Sequence, residues 1–329
     1  MRFRSARTAP LSLNGAVNGH AGIEEPRPRR SRALLNVALF LATCLTTLLA
    51  GTAFVGSPTF DAFRRSPEEL GWVLSGVPFA ATLLAILVVH EFGHYFTARA
   101  YGASVSLPFF IPAPPFLFMA GTLGAIIRLR SPARNRNEMF DVAVAGPLAG
   151  LAVAVPAACL GLAWSTLAPA AAHVAFGESL LTRLLLWLRF GAVPDGMMVL
   201  THPVADAAWF GFLVTAINLL PAGQLDGGRI AYAVLGRRHG VIGRLTVALL
   251  VALGLVMTGW ALVRGDGWLA PLFGLNWFVL AALIRFFVGY RAGPIVDATT
   301  PPTRWRRTLG IACLLLVLLM LPPVFILPE

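Results

Sequence analysis

The chain has no lysine, and charge of either sign is scarce: 12% of its 329 residues are charged, against about a quarter in an ordinary soluble protein. That shortage excludes a water-soluble globular surface. Cysteine is also sparse. Cys44, Cys159 and Cys313 each lie in a different apolar run, which excludes a disulfide framework or a cysteine-built metal site and predicts packed thiols. No internal repeat is present, and the segment at 164–203, about forty residues, is too short for a folded soluble domain. What fills the chain is hydrophobic residues, 57% of the total, with a mean hydropathy of +0.75. They recur in runs of about 18 or more uncharged residues, the length a helix needs to cross a bilayer. An all-α, polytopic transmembrane bundle of six to seven spans is expected.

The runs place candidate spans at roughly 33–56, 71–98, 138–163, 204–221, 242–263, 268–290 and 308–326, and the formal charge of +11 is carried by arginine alone. With the N-terminal tail inside and the sides alternating, inner segments hold 21 arginines. The outer ones hold five: Arg64, Arg65, Arg183, Arg189 and Arg264. This asymmetry reads as membrane topology with a cytoplasmic N-terminus. Because the arginines lie between apolar runs rather than on one face, no nucleic-acid partner is expected. Residues 1–32, with seven arginines, read as a disordered tail. The piece near 180–200, broken by Arg183, Arg189 and Pro194, reads as interfacial.

One apolar segment resists a helical reading. In "VSLPFFIPAPPFLFMAGTLGAII", residues 105–127, Pro108, Pro112, Pro114 and Pro115 deny the backbone a regular helix. Irregular backbone at membrane depth survives only against other protein or a water-filled cavity. A Pro-rich re-entrant hairpin leaning on the bundle is expected.

The chemistry is concentrated in "HEFGH". His90 and His94, four apart, share one helix face and can ligate one metal ion, while Glu91 points to the side, where it can take a proton from an activated water. Zinc suits two imidazoles and one carboxylate with a fourth position left open, and lowers the pKa of its water to about 7. Two helix-packing histidines with a neutralised Glu are the structural alternative. Ionisable groups at membrane depth are costly and tend to be functional.

A third ligand is needed. In "TAINLLPAGQLDGGRI", residues 215–230, Pro221, Gly223, Gly227 and Gly228 break an apolar helix, and Asp226 is the acid in the break. The spans at 71–98 and 204–221 run in the same direction, so their inner ends reach similar depth. Asp226 would serve equally as a turn or cap residue. Asn218, eight residues earlier, can hold a substrate carbonyl or bond between helices. Glu138 in "RNEMFD" is a rival third ligand. Three features receive structural readings: His202-Pro203 as a helix start, Arg99 as an interface anchor, and Gly146 with Gly150 as a GxxxG packing pair. His20, His173 and His239 receive no role.

Together HEFGH, the Gly146-Pro147 pair in "VAGPLAG" and "NLLPAGQLDGG" resemble the site-2 proteases, intramembrane zinc metalloproteases that cut transmembrane helices. The resemblance covers about residues 75–235. It is nearest to the branch with "FFIPAPP" and "GTLGAIIRLRSP", which includes plastid members. It implies one zinc ion held by His90, His94 and Asp226, Glu91 as general base, and Asn218 as a substrate-positioning residue. The chain departs from the family at Gln224-Leu225-Asp226-Gly227, where a proline ordinarily precedes the Asp, and no PDZ or CBS domain is expected. The implied organisation is a tail at 1–32, a first span and outer loop at 33–70, a catalytic core at 71–235 and additional spans at 236–329. Transmembrane protein substrates in a lipid bilayer are the implied partners, and a prokaryotic cytoplasmic membrane is expected ahead of a plastid one. A metal transporter or non-proteolytic scaffold is the alternative.

Overall fold

A computed structural model describes residues 30–52, 70–115, 118–170, 174–265 and 270–328. Most of the expected tail, the loop carrying Arg64 and Arg65, and His20 and His173 lie outside the described residues. Apolar helices dominate. In chain order they are α1 (Arg30–Thr52), α2 (Leu70–Ser75), α3 (Val77–Ala100), α4 (Arg136–Trp164), α5 (Leu180–Phe190), α6 (Pro203–Asn218), α7 (Asp226–Leu235), α8 (His239–Arg264), α9 (Ala270–Leu283) and α10 (Arg304–Met320). A π-helical turn, Ile284–Val288, extends α9.

Among the described residues five stretches are long and apolar enough to cross a membrane: Ala33–Thr52, Val77–Ala100, Arg136–Trp164, Asp226–Arg264 and Pro271–Val288. The protein is an integral membrane protein of the all-α class. The expected spans at 204–221 and 308–326 appear as α6 and α10, of 16 and 17 residues. At 1.5 Å per residue, α6 is about 24 Å long, short of a 30 Å hydrocarbon core. It is enclosed by the other helices, with Trp209, Phe210 and Phe212 buried, and the alternating topology still counts it as a crossing. The 11 residues of α5 begin at a Ser179–Thr182 capping box and none is buried; at roughly 16 Å this helix is too short to span. The central core joins α4, α6, α7, α8, α9 and α10 through Phe140, Phe212, Ile230, Leu250 and Trp277. Cys313 is buried there, whereas Cys159 is exposed. The expected packing fails for Cys159 because it sits on an outward face of α4, which an apolar solvent allows.

The Pro-rich segment is a β-hairpin. Strand β1 (Phe109–Pro112) pairs antiparallel with β2 (Thr122–Ile126), Phe109 opposite Ile126, with a register shift between Phe110 and Pro112. A bridge between Val105 and Leu129 prolongs the ladder. Prolines sit where no ladder donor is required, at the strand end and in the turn. Phe110 is buried against Phe40 of α1, ring centroids 5.0 Å apart. Gly121, at φ +71°, brings the turn so close to the Thr46 carbonyl that any Cβ would overlap it.

Among the described residues three further strand pairs join the loops between helices. Strand β3 (Ala133–Asn135) pairs in parallel with β7 (Ile295–Asp297), joining two segments assigned to the inner side. Strands β4 (Thr166–Pro169) and β6 (Met197–Leu200) pair within the outer segment. Strand β5 (Val174–Phe176) of that segment pairs with β8 (Ile326–Pro328), beyond the outer end of α10. Every pair links segments on one side under the alternating topology.

This arrangement predicts opposite reactivity of two engineered thiols. In intact vesicles, Asp195→Cys and Asp297→Cys should react with a membrane-impermeant maleimide from opposite faces. Labelling of both from one face would overturn the alternation.

Candidate metal centre

Helix α3 places His90 and His94 one turn apart, with Glu91 between them. All three are buried, at 3%, 4% and 6% exposure. His94 donates from Nδ1 to the Val142 carbonyl of α4 at 2.7 Å. With its proton held there, Nε2 presents a lone pair to the interior, and such an outer contact orients a metal-binding imidazole.

The rings fit because α4 carries glycine beneath them. A Cβ on Gly146 would overlap the His94 ring, and one on Gly150 would meet His90 at 3.2 Å. From the other side, a Cβ on Gly93 would come within 2.6 Å of the Ala145 carbonyl. The GxxxG pair therefore is helix packing, as its spacing suggested, but what it packs against is the two imidazoles.

The third donor arrives on α7. Helix α6 ends at Asn218, and the chain reverses through Leu219–Leu225, with Gly223 at φ +51° pressed on the Gly289 carbonyl. Any Cβ on Gly227 or Gly228 would strike the carbonyls of Leu219 or Gly223, so only a glycine pair lets α7 start this close. Its first residue is Asp226. Asp226 Oδ2 lies 3.2 Å from His94 Nε2 and 3.5 Å from His90 Nε2, and the two Nε2 atoms are 3.2 Å apart. Among the described residues, His90, His94 and Asp226 form the group able to hold a metal ion.

The dimensions suit zinc. Metal–donor distances of 2.0–2.1 Å in a tetrahedron put neighbouring donors roughly 3.3 Å apart, close to the three separations observed. A carboxylate and the lone pair of His94 also repel when left facing each other in a dry interior. A proton can relieve one edge of that triangle, whereas a cation satisfies all three donors at once.

The surrounding residues divide clearly. Asn218 brings Nδ2 to 3.5 Å from His90 Nε2, at the edge of the donor triangle. The Glu91 carboxylate lies against the Ile127 N–H, just past β2. The rival Glu138 is elsewhere, accepting from Arg134 N at 3.1 Å and paired with Arg134 Nε at 3.4 Å. His202 is the N-cap of α6, accepting from Val204 N at 3.3 Å, and His239 bonds the Gly236 carbonyl and Ala292 N. The Val142 carbonyl has no sequence signal, since every residue offers one. Gly146 and Gly150 did carry a signal, the four-residue GxxxG spacing on the long helix that follows HEFGH. A second cluster ties the end of α3 to the first turns of α4 and α10: Tyr101 donates to Asp141, which also accepts from Arg306 Nε and Nη2 at 2.8 and 2.7 Å.

Comparison with known proteins bears on this geometry. The sequence profile of Peptidase family M50 matches residues 78–262. Probable zinc metalloprotease EGY2, chloroplastic, of Arabidopsis thaliana is 31% identical over 291 residues, 86% of this chain and 47% of that protein. Probable zinc metalloprotease EGY1, chloroplastic, of the same plant is 33% identical over 262 residues, 76% of this chain and 44% of that protein. The chain spans about half the length of the relatives it matches. Among solved structures, the site-2 protease from Methanocaldococcus jannaschii aligns at 16% identity with a TM-score of 0.35, over 76% of this chain and 92% of that one; a likeness so loose adds no weight.

The packing generates a prediction about metal content. Gly146→Ala should lower zinc affinity at least tenfold, about the cost of losing an orienting contact, and Asp226→Asn should do the same. Gly259→Ala, where a Cβ meets open space, and Glu138→Gln should leave it unchanged. Elemental analysis of purified protein after dialysis checks all four, and full occupancy in Gly146→Ala would refute the ring contact.

Proposed function

The chain belongs to Peptidase family M50, and from that premise we propose that it is an intramembrane zinc metalloprotease hydrolysing peptide bonds in or near transmembrane segments of membrane proteins. The observation that carries the reading is the donor triangle of His90, His94 and Asp226 with Glu91 one residue from its first member. His90, His94 and Asp226 would hold one zinc ion. Zinc there supplies Lewis acidity, which makes water a nucleophile near neutral pH and stabilises developing negative charge.

The protein's own groups supply the rest. Glu91 takes the proton of the attacking water and returns it to the leaving amine. The Asn218 amide donates toward the oxygen on which charge develops, the role its position beside His90 supports. Substrate presentation follows from backbone chemistry. A transmembrane helix hides each peptide bond in its own ladder, so the bond must be unwound and the freed strand held. Among the described residues strand β2 pairs with β1 on one side only, and the Ile127 N–H, just past its end, faces Glu91. An extended substrate added along β2 would therefore run past the general base.

A metal transporter or scaffold fits less well. Binding alone does not require a buried carboxylate beside the ligands, nor an amide at the triangle's edge. The catalytic unit we propose is 71–235, with 236–329 as added spans. The relatives' names place them in chloroplasts, which supports a plastid membrane and leaves the expected prokaryotic cytoplasmic membrane without support.

Two outcomes are expected with purified full-length protein and a reporter transmembrane substrate. Glu91→Gln should keep its zinc and lose 10²- to 10⁴-fold in cleavage rate, the usual worth of a general base; cleavage at the wild-type rate removes Glu91 from that role. Chelation should abolish cleavage and added zinc restore it, while zinc flux into sealed vesicles without cleavage would favour transport.

A further inference from the structure

Away from the donor triangle, the opposite end of α7 borders a cavity of about 320 Å³ lined by Arg136, Val234, Leu235, Arg238, Pro301, Pro302 and Arg307. Its size falls at the small end of ligand sites, roughly 300–1,000 Å³. Three of seven lining residues are arginines and none is acidic. They come from three separate elements: the start of α4, the turn after α7, and α10.

The carboxylates that could neutralise them are engaged elsewhere. Glu138 pairs with Arg134. Asp141 is held by Arg306 and Tyr101. Asp297 accepts from Thr299 N at 2.8 Å and from the hydroxyls of Thr299 and Thr300. Of the three cavity arginines, Arg136 is anchored by its Nε on the Ala233 carbonyl at 2.8 Å, a normal use of a cation at a helix C-terminus. Arg238 and Arg307 make no ion pair among the described residues. A fold that gathers three guanidiniums around one cavity and turns its acids away leaves a site for an anion with several oxygens, which guanidinium geometry matches well.

We propose that this cavity binds a phosphate group, and that the phosphate is the headgroup of an anionic phospholipid in the leaflet on the β3–β7 side. The placement favours lipid over a soluble ion. Basic pockets between helices at the membrane boundary hold such headgroups. The rest of the lining, Val234, Leu235, Pro301 and Pro302, is apolar, and Leu235 is 37% exposed, a wall suited to glycerol and acyl carbons. The same site touches α7 at its last turn, so a bound headgroup would brace the helix that begins with Asp226.

Native mass spectrometry of the full chain, equilibrated with phosphatidylglycerol or phosphatidylcholine, tests the site. Phosphatidylglycerol should be retained at least tenfold over phosphatidylcholine. Arg238→Gln with Arg307→Gln should lose that preference, and Arg307→Gln alone should reduce it. Arg304→Gln, an exposed arginine of α10 outside the cavity, should keep it, and unchanged zinc content confirms that each variant is folded. Displacement by millimolar inorganic phosphate would retain the phosphate site but assign it to a soluble ion. Equal retention of both lipids, or full retention by the double variant, overturns the proposal.

Discussion

Much of this molecule follows from how closely α3 and α4 approach. Imidazole rings are too bulky to lie between two helices at ordinary spacing, yet His90 and His94 do, because Gly93, Gly146 and Gly150 remove side chains where the rings and backbones meet. Small residues favour helix association in lipid, where no hydrophobic effect draws apolar surfaces together. Here the same contact does a second task. It brings the Val142 carbonyl to 2.7 Å from His94 Nδ1, so helix packing also selects the tautomer that turns Nε2 inward. Without that contact the histidines would share a helix face but have no fixed orientation toward Asp226.

A second close approach completes the centre and is likewise built from glycine. Gly227 and Gly228 sit on the carbonyls of the turn that ends α6, bringing Asp226 beside α3 although 132 residues separate it from His94 in sequence. Strand pairs outside the bundle hold the segments that feed these contacts. The β3–β7 pair ties the start of α4 to the segment before α10, and Arg306 then grips Asp141 of α4 through two hydrogen bonds. The C-terminal helix thus supports α4 beside the residues that orient His94.

How much could be read beforehand depended on the range of each interaction. HEFGH was legible because an i, i+4 pair on a helix is local, and Asp226 because a Pro-Gly break with a single acid is unusual in an apolar run. The long helices were legible from composition. The strands were not. Ala133 pairs with Ile295 and Phe176 with Ile326, and three-residue strands have too little periodicity to announce partners so distant. The hairpin was anticipated from its prolines, but its strand pairing came only with the structure. Gly146 was read as helix packing, which is correct as far as it goes; that a ring rather than a backbone lies opposite depends on where α3 crosses. Glu138 was a fair rival by type and side, yet its N–H bonds Asn135 and its carboxylate Arg134, and capping α4 leaves it nothing for the centre.

Exposure around the centre is graded, and the gradient gives the site a direction. The imidazoles are almost wholly covered, and α4 closes them from one side. Asp226 keeps 13% of its side chain exposed, and Ile126 and Leu123 on β2 are more than half exposed. On the proposed function, water and an unwound strand would therefore come from the hairpin and α7 side, since a path through α4 would have to part the glycine-lined contact between α3 and α4. On the proposed function, a hydrolytic centre in lipid has to admit water without exposing its metal-binding side chains to it. Burying two of the three donors and leaving Asp226 at the boundary meets both demands, and Glu91 faces the hairpin through the Ile127 N–H.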